Sequence, residues 1–467
     1  MNSHARLANR LFFLAGSTSL GLFTSACAST SSSAAPIAPT STTSASRIAA
    51  AEAAALSLYN GDATRASPDY GRPDPLGKSP RILKCGAILA PPVRPLPLTS
   101  GILEKDFEAL VRSVQDEICA AIEAVEGGGQ HFREDVWTRS EGGGGRSRVL
   151  QEGRVFSKAG VNVSTVHGML PPAAVAQMRA RQNQTTTLAA AATTTTTAAA
   201  AATTPVTATT VGGPFRFATG ATSTAPLPFF ACGVSLVLHP REPRAPTAHA
   251  NYRLFVVQVP GEGVNAPPHA VWWFGGGADL TPSYVMPSDA KHFHGTLKAA
   301  CDRSPSRTAF SRFKVWADDY FASPHRGGER RGVGGIFFDD IDEATLVEKD
   351  LKGAGAGNPY HVLPFVADAA RSFIHAYLPI IEARHDENAP PSPREARWQA
   401  LRRGRYVEFN LVHDRGTKFG LATPGARIES ILMSLPLEAR WEYMAEPEVG
   451  SPEAASLAIL QTPVDWV

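Results

Sequence analysis

The run GVSLVLH at 233–239, followed by HANYRLFVVQV at 249–259, decides the fold. In a β-strand successive side chains point to opposite faces, so residues two apart share one. Leu236, Leu238, Tyr252 and Leu254 then form an apolar face, while Ser235, His239, His249, Asn251 and Arg253 fall on the other. Each unsatisfied polar group in a dry core costs roughly 1–3 kcal/mol, so any buried member of that second face needs a partner, and the face is an odd one to pack as core. It is either solvated or lines a cavity, and several polar groups converging at period two favour the cavity.

Working outward, strand patterns recur at 270–274, 334–338 and 406–412, with further strands around Val149 and Val155. The helical spacing of Leu103, Phe107, Leu110, Val114, Ile118 and Ile122 predicts a helix over 103–125, stopped by Gly127–Gly129. Helices are also expected at 288–301, 307–322, 362–385 and 394–403. Blocks of strands with intervening helices, and short turns in place of regular βαβ crossovers, point to an α+β fold. Its centre is expected to be a large, mainly antiparallel sheet flanked by helices.

The chain has 467 residues and a formal net charge of +2. That balance argues against a non-specific nucleic-acid binder relying on phosphate neutralisation. Within it, 35 Arg stand against 10 Lys, and the planar guanidinium is the side chain that grips carboxylate or phosphate in bidentate fashion. The cysteines, Cys27, Cys85, Cys119, Cys232 and Cys301, are too far apart for a zinc ribbon, a local iron–sulfur motif or a dense disulfide framework. Residues 1–51 contain Arg6, Arg10 and Arg47 and no acidic residue, and the Leu11–Leu22 stretch is too short and interrupted to span a bilayer. Such a start reads as an organelle targeting segment, mitochondrial or plastid; a disordered start to a cytoplasmic protein is the alternative. Residues 1–98 are read as targeting segment and linker, and 99–467 as one domain interrupted by a Thr/Ala-rich insertion at about 179–227.

The run VWWFGGGADLTP at 271–282 supplies an aromatic wall, glycines that let backbone approach closely, and Asp279 at the end of the turn. A carboxylate there is placed to act as a base or to accept from a cluster of N–H groups. Arg402, Arg403 and Arg405 precede YVEFNLV at 406–412, read as a strand, and Arg415 and Arg427 follow in glycine-bearing loops. A salt-bridged surface and a set of clamps for a polyanion both remain open for these arginines, with Gly425 favouring the clamp at Arg427. Among His239, His249, His294 and His325 no pair has the i, i+4 spacing of a helical metal site, so spacing alone favours ordinary hydrogen-bonded histidines. The glycines at 142–145 and 332–335 lack the sequels of a P-loop or a dinucleotide fingerprint.

At these residues the sequence resembles the oxygen-dependent coproporphyrinogen III oxidase family. The resemblance is carried by WTRSEGGGGRSRVLQEGRVFSKAGVNVSTVH at 137–167, by Cys232–Phe255, Trp272–Pro282 and His325–Asp340, by RRGRYVEFNLVHDRGTKFGLATPG at 402–425, by Glu429–Tyr443 and by Asp465-Trp466-Val467. It implies oxidative decarboxylation of two propionates of coproporphyrinogen III to vinyl groups, giving protoporphyrinogen IX in haem biosynthesis. It further implies O2 as co-substrate, no organic cofactor, and a homodimer with the segment from Tyr406 onward at its interface. By motif, Ser235, Asn251, Arg253, Gly425, Ala426 and Arg427 would contact substrate and His249 would donate a proton. A divalent metal, disputed for the family, would use His239, His249, His294 and His325. Against such a substrate, Asp279 is expected to accept the pyrrole N–H bonds and draw off a proton. A non-haem metal oxygenase and a tetrapyrrole carrier are the rival readings. The chain departs from the family pattern in its insertion, in Gly327-Gly328 beside His325, and in Ala317 where a cysteine is usual.

Overall fold

Period-two alternation builds the centre of the molecule. The computed structural model describes residues 100–172, 174–175, 225–260, 269–346, 357–385, 390–423 and 425–467. The targeting segment and linker expected over 1–98 lie outside the described residues, as does all of the Thr/Ala insertion except its last three positions. Strands β1 (Arg133–Thr138), β2 (Gly143–Gln151), β3 (Phe156–Leu170), β4 (Leu227–Pro240), β5 (Thr247–Val259) and β6 (His269–Thr281) pair with their sequence neighbours. A short ribbon, β7 (Ala322–Ser323) with β8 (Glu329–Arg330), leads into β9 (Gly334–Ile341). The large sheet runs β1-β2-β3-β4-β5-β6-β9, antiparallel throughout.

The even-numbered residues of β4 and β5 form the covered face. Leu236, Leu238, Tyr252 and Leu254 are at most 2% exposed. They join one core with α1 (Leu103–Glu126), α2 (Pro287–Asp302), α3 (Ala309–Tyr320) and α4 (Leu363–Arg384). Helix α1 follows the expected apolar stripe and ends at Gly127, whose φ of 61° suits glycine. The Glu126 carboxylate then accepts from the backbone N–H groups of Arg154, Val155 and Phe156, tying the helix end to the start of β3. Two buried tyrosine hydroxyls are satisfied by carbonyls, Tyr252 on Ala369 at 3.0 Å and Tyr377 on Pro246 at 2.8 Å.

The sequence reading fails at 406–412. These residues are the second half of α5 (Pro393–Val412), not a strand. Ser392 and Glu395 form a reciprocal cap and Pro393 occupies the first turn, so the helix is nucleated upstream. Once nucleated, extension costs little. Trp398, Arg402, Tyr406, Phe409 and Asn410 are buried at helical spacing, which a short alternating run cannot distinguish from period two. Tyr406 is 2% exposed and packs edge-on against His239, covering the sheet, whereas Leu411 and Val412 at the end of the segment are 42% and 48% exposed. Three further helices follow, α6 (Arg415–Ala422), α7 (Ile428–Leu432) and α8 (Pro452–Gln461). No described helix is long and apolar enough to cross a membrane.

Candidate active site

The odd-numbered face of β4–β6 carries the polar groups, and the sheet register sets them in rows. Ser235 lies opposite Asn251, and Val237 opposite His249. His249 in turn lies opposite Asp279, and Arg253 opposite Gly275. At one end the face becomes aromatic: Phe255 stacks on Phe229 at 5.3 Å and on Trp273 at 4.6 Å. At the other end α5 crosses the strand termini, where Arg403 donates to the Pro240 carbonyl at 2.7 Å.

At the centre Asp279 is 2% exposed and engages with both oxygens. Oδ1 accepts from His249 Nδ1 at 2.7 Å and Oδ2 accepts from Arg331 Nη2 at 2.7 Å. Burial alone would raise the Asp279 carboxyl, but the Arg331 charge and then His249 outweigh it and hold the group below the usual carboxylate range. A carboxylate accepting at Nδ1 fixes the His249 tautomer and leaves Nε2 as the ring nitrogen for substrate. The His249 side chain is 25% exposed, whereas Asp279 is sealed. Asp279, expected to meet pyrrole N–H groups, has both of its oxygens engaged by His249 and Arg331.

Arg331, which nothing in the sequence pattern singled out, lies in the turn before β9. Its side chain is 2% exposed. Its Nη1 donates to Asn410 Oδ1 at 2.6 Å, and its guanidinium lies 4.2 Å from the Phe321 ring centre, 4.9 Å from Tyr406 and 5.1 Å from Phe409. An arginine so enclosed is fixed in place by ring faces and acceptors together. The chain tags such a residue only by the glycines of its turn, and its partner is set by the register of β6 and β9.

Arg253, two rows along the same face, donates from Nη1 to Asn251 Oδ1 at 3.0 Å and pairs through Nη2 with Asp339 at 2.7 Å. Gly425, Ala426 and Arg427 stand apart from this group. Arg427 pairs with Asp135 of β1, four strands from β5, and both side chains are about two-fifths exposed. Beyond them α7 lies on the polar face of β2–β4. Ser430 Oγ meets Ser147 Oγ at 2.7 Å, and Ser147 donates to Asn162 Oδ1 at 2.7 Å. The Leu435 carbonyl accepts from Lys158 Nζ at 2.8 Å.

The four candidate metal histidines lie in four settings. His239 is fully buried, with Nδ1 3.3 Å from Thr247 Oγ1 and Nε2 donating to the Ser434 carbonyl at 2.9 Å. His294 donates from Nδ1 to the Ala290 carbonyl inside α2 at 2.8 Å. His325 pairs with Glu408 and lies 2.7 Å from His413 Nε2 through its Nδ1. Of the four, His249 alone stands in the row with Asp279. Among the described residues no three His, Cys, Asp or Glu groups converge as a metal site, so these side chains do not fit a shared ion.

Residues 106–466 match the sequence model of the family described as coproporphyrinogen III oxidase. The chain is 48% identical over 361 residues to the oxygen-dependent coproporphyrinogen-III oxidase of Drosophila melanogaster, covering 77% of each chain. It is 47% identical to the chloroplastic oxygen-dependent coproporphyrinogen-III oxidase of Glycine max, over 77% of this chain and 79% of the relative. With the mitochondrial oxygen-dependent coproporphyrinogen-III oxidase of Homo sapiens the identity is 45%, over 82% of this chain and 72% of the relative.

Proposed function

The chain belongs to the coproporphyrinogen III oxidase family, and from that premise we propose how the polar face of its sheet carries out the family's reaction. The protein is an oxygen-dependent coproporphyrinogen III oxidase that converts two propionates of its substrate to vinyl groups. In each turnover a hydrogen leaves the propionate β-carbon with its electron pair and reduces O2 to hydroperoxide. The carboxylate departs as CO2, and the electron pair of its broken C–C bond becomes the second bond of the vinyl group. One proton completes hydrogen peroxide.

His249 supplies that proton from Nε2. Asp279 orients the ring, and the Arg331 charge keeps Asp279 ionised. Arg253, with Asn251 and Ser235 beside it, receives the reacting propionate. Arg427, across the sheet, exchanges Asp135 for a second carboxylate of a ligand that carries four. The observation that carries this reading is the His249–Asp279–Arg331 line, in which each contact is 2.7 Å and only the histidine reaches the open face. His249→Gln keeps the size of the side chain and removes the transferable proton. We expect aerobic turnover, read as porphyrin fluorescence after oxidation of the product, to fall by about 10²-fold or more with substrate still bound; wild-type turnover would remove His249 from the mechanism.

The mitochondrial and chloroplastic relatives support an organelle location. A homodimer is supported by the apolar side chains after α7, where Trp441 is 55% exposed and Tyr443 and Val449 are 97% exposed. Sedimentation should give twice the chain mass, and Trp441→Glu should shift it to the monomer; a wild-type monomer at micromolar concentration would refute the pairing.

A further inference from the structure

The pairing of β6 with β9 slips by one residue beside Arg253. Phe274 lies opposite Ile341 but Gly276 lies opposite Phe338, so Asp339 and Asp340 together face Gly275. Asp340 adopts φ of 51°, which a non-glycine side chain takes at a cost. Bulges of this kind re-aim a side chain, and the side chain aimed here is Asp339. Its Oδ1 accepts from the Asp340 backbone N–H at 3.1 Å and pairs with Arg253 Nη2 at 2.7 Å. Gly275 makes room for the pair: a Cβ there would lie 2.6 Å from Asp339 Oδ1 and 2.8 Å from Arg253 Cζ.

We propose that Asp339 is a positioning and specificity-determining residue that presents Arg253 to the propionate in one fixed orientation. The inference rests on Arg253 as the propionate clamp. Asn251 and Asp339 hold Nη1 and Nη2, so the guanidinium plane is set before substrate arrives and Nε–H with the outer Nη hydrogens remains for a carboxylate. Asp339 also cancels the clamp's charge. A carboxylate is then drawn in by the geometry of the remaining donors, and acids that cannot reach them gain little.

Steady-state kinetics of folded variants tests this. Asp339→Ala frees the guanidinium and leaves it fully cationic, so kcat falls by about 10- to 100-fold while KM stays level or falls. Asp339→Asn keeps an acceptor for Nη2 without the charge, so kcat returns to within about threefold of wild type and KM falls. In an Arg253→Ala background, Asp339→Ala adds nothing further. Wild-type kcat and KM in Asp339→Ala, with Arg253→Ala measurably impaired, overturns the role of Asp339 alone. Additive losses in the double variant also overturn it, since they place Asp339 outside the clamp. Wild-type turnover in Arg253→Ala overturns the clamp itself.

Discussion

On the helix-covered face of β4 and β5, Leu236, Leu238, Ala250, Tyr252 and Leu254 are at most 2% exposed, and non-directional packing holds them. On the opposite face of the same strands, His249, Asn251 and Arg253 keep partial exposure, and each is held by a named partner. On the covered face, the Tyr252 hydroxyl on the Ala369 carbonyl aside, an apolar side chain of similar volume serves, because burial is roughly proportional to area. On the polar face a change of one functional group unpairs another. The difference shows where chemistry can be kept on a sheet: the apolar side supplies the rigidity, and the polar side can then hold a buried charge such as Asp279 without the strands parting.

The largest expected effects come from removing one member of each face. Arg331→Ala leaves Asp279 charged, buried and without its main partner, a loss of about 3–5 kcal/mol. Phe274→Ala, a cavity in the covered core beside Phe107 at a ring separation of 5.6 Å, also costs about 3–5 kcal/mol. Urea denaturation should therefore rank the two together, while turnover per folded molecule separates them. Phe274→Ala should retain most activity and Arg331→Ala should lose nearly all of it, because only the second disturbs the line to His249. Equal activities in the two variants would dissolve the distinction between the faces.

Period two made the covered face readable before any coordinates, and the same alternation named Ser235, His249, Asn251 and Arg253 as neighbours. Helix α1 was readable because its apolar stripe runs for six turns. The stretch 406–412 was misread because seven residues are too few to separate the two periods, and the decisive signal, the Ser392–Glu395 cap, lies well upstream. The partners of the site were not readable at all. Arg331 meets Asp279, and Asp339 meets Arg253, through the pairing of β6 with a strand more than 50 residues later in the chain and through a one-residue bulge in that pairing. Composition and spacing carry no record of either. The separation of Arg427 from Arg253 is likewise a property of strand order, which alternation does not encode.

The smallest effect tests whether face or burial governs the response to acid. His239 belongs by register to the polar face, yet it is fully buried because the segment after α7 lies across it; His294 is fully buried in α2 among apolar residues. Burial pushes both imidazoles down to about 3, assisted by the charge of Arg403 at His239 and of Lys314 at His294. In the unfolded chain each would titrate near 6.5. Between those values the unfolded chain binds protons that the folded chain refuses, so stability falls as pH is lowered from about 6.5 toward 3. The slope reaches roughly 1.4 kcal/mol per pH unit for each histidine. Asp279 contributes later, since its depressed carboxyl protonates only below the usual carboxylate range. The limb between about pH 6.5 and 4.5 therefore belongs to the histidines. His239→Gln, whose amide can still donate to the Ser434 carbonyl, should lower that limb by about one histidine's slope in thermal melts across pH, and His294→Gln should lower it equally. Equal slopes would mean that the covering segment, rather than the face on which a residue starts, decides its electrostatics; an unchanged slope in His239→Gln would mean that water reaches His239 in solution and that the polar face remains open beneath the segment following α7.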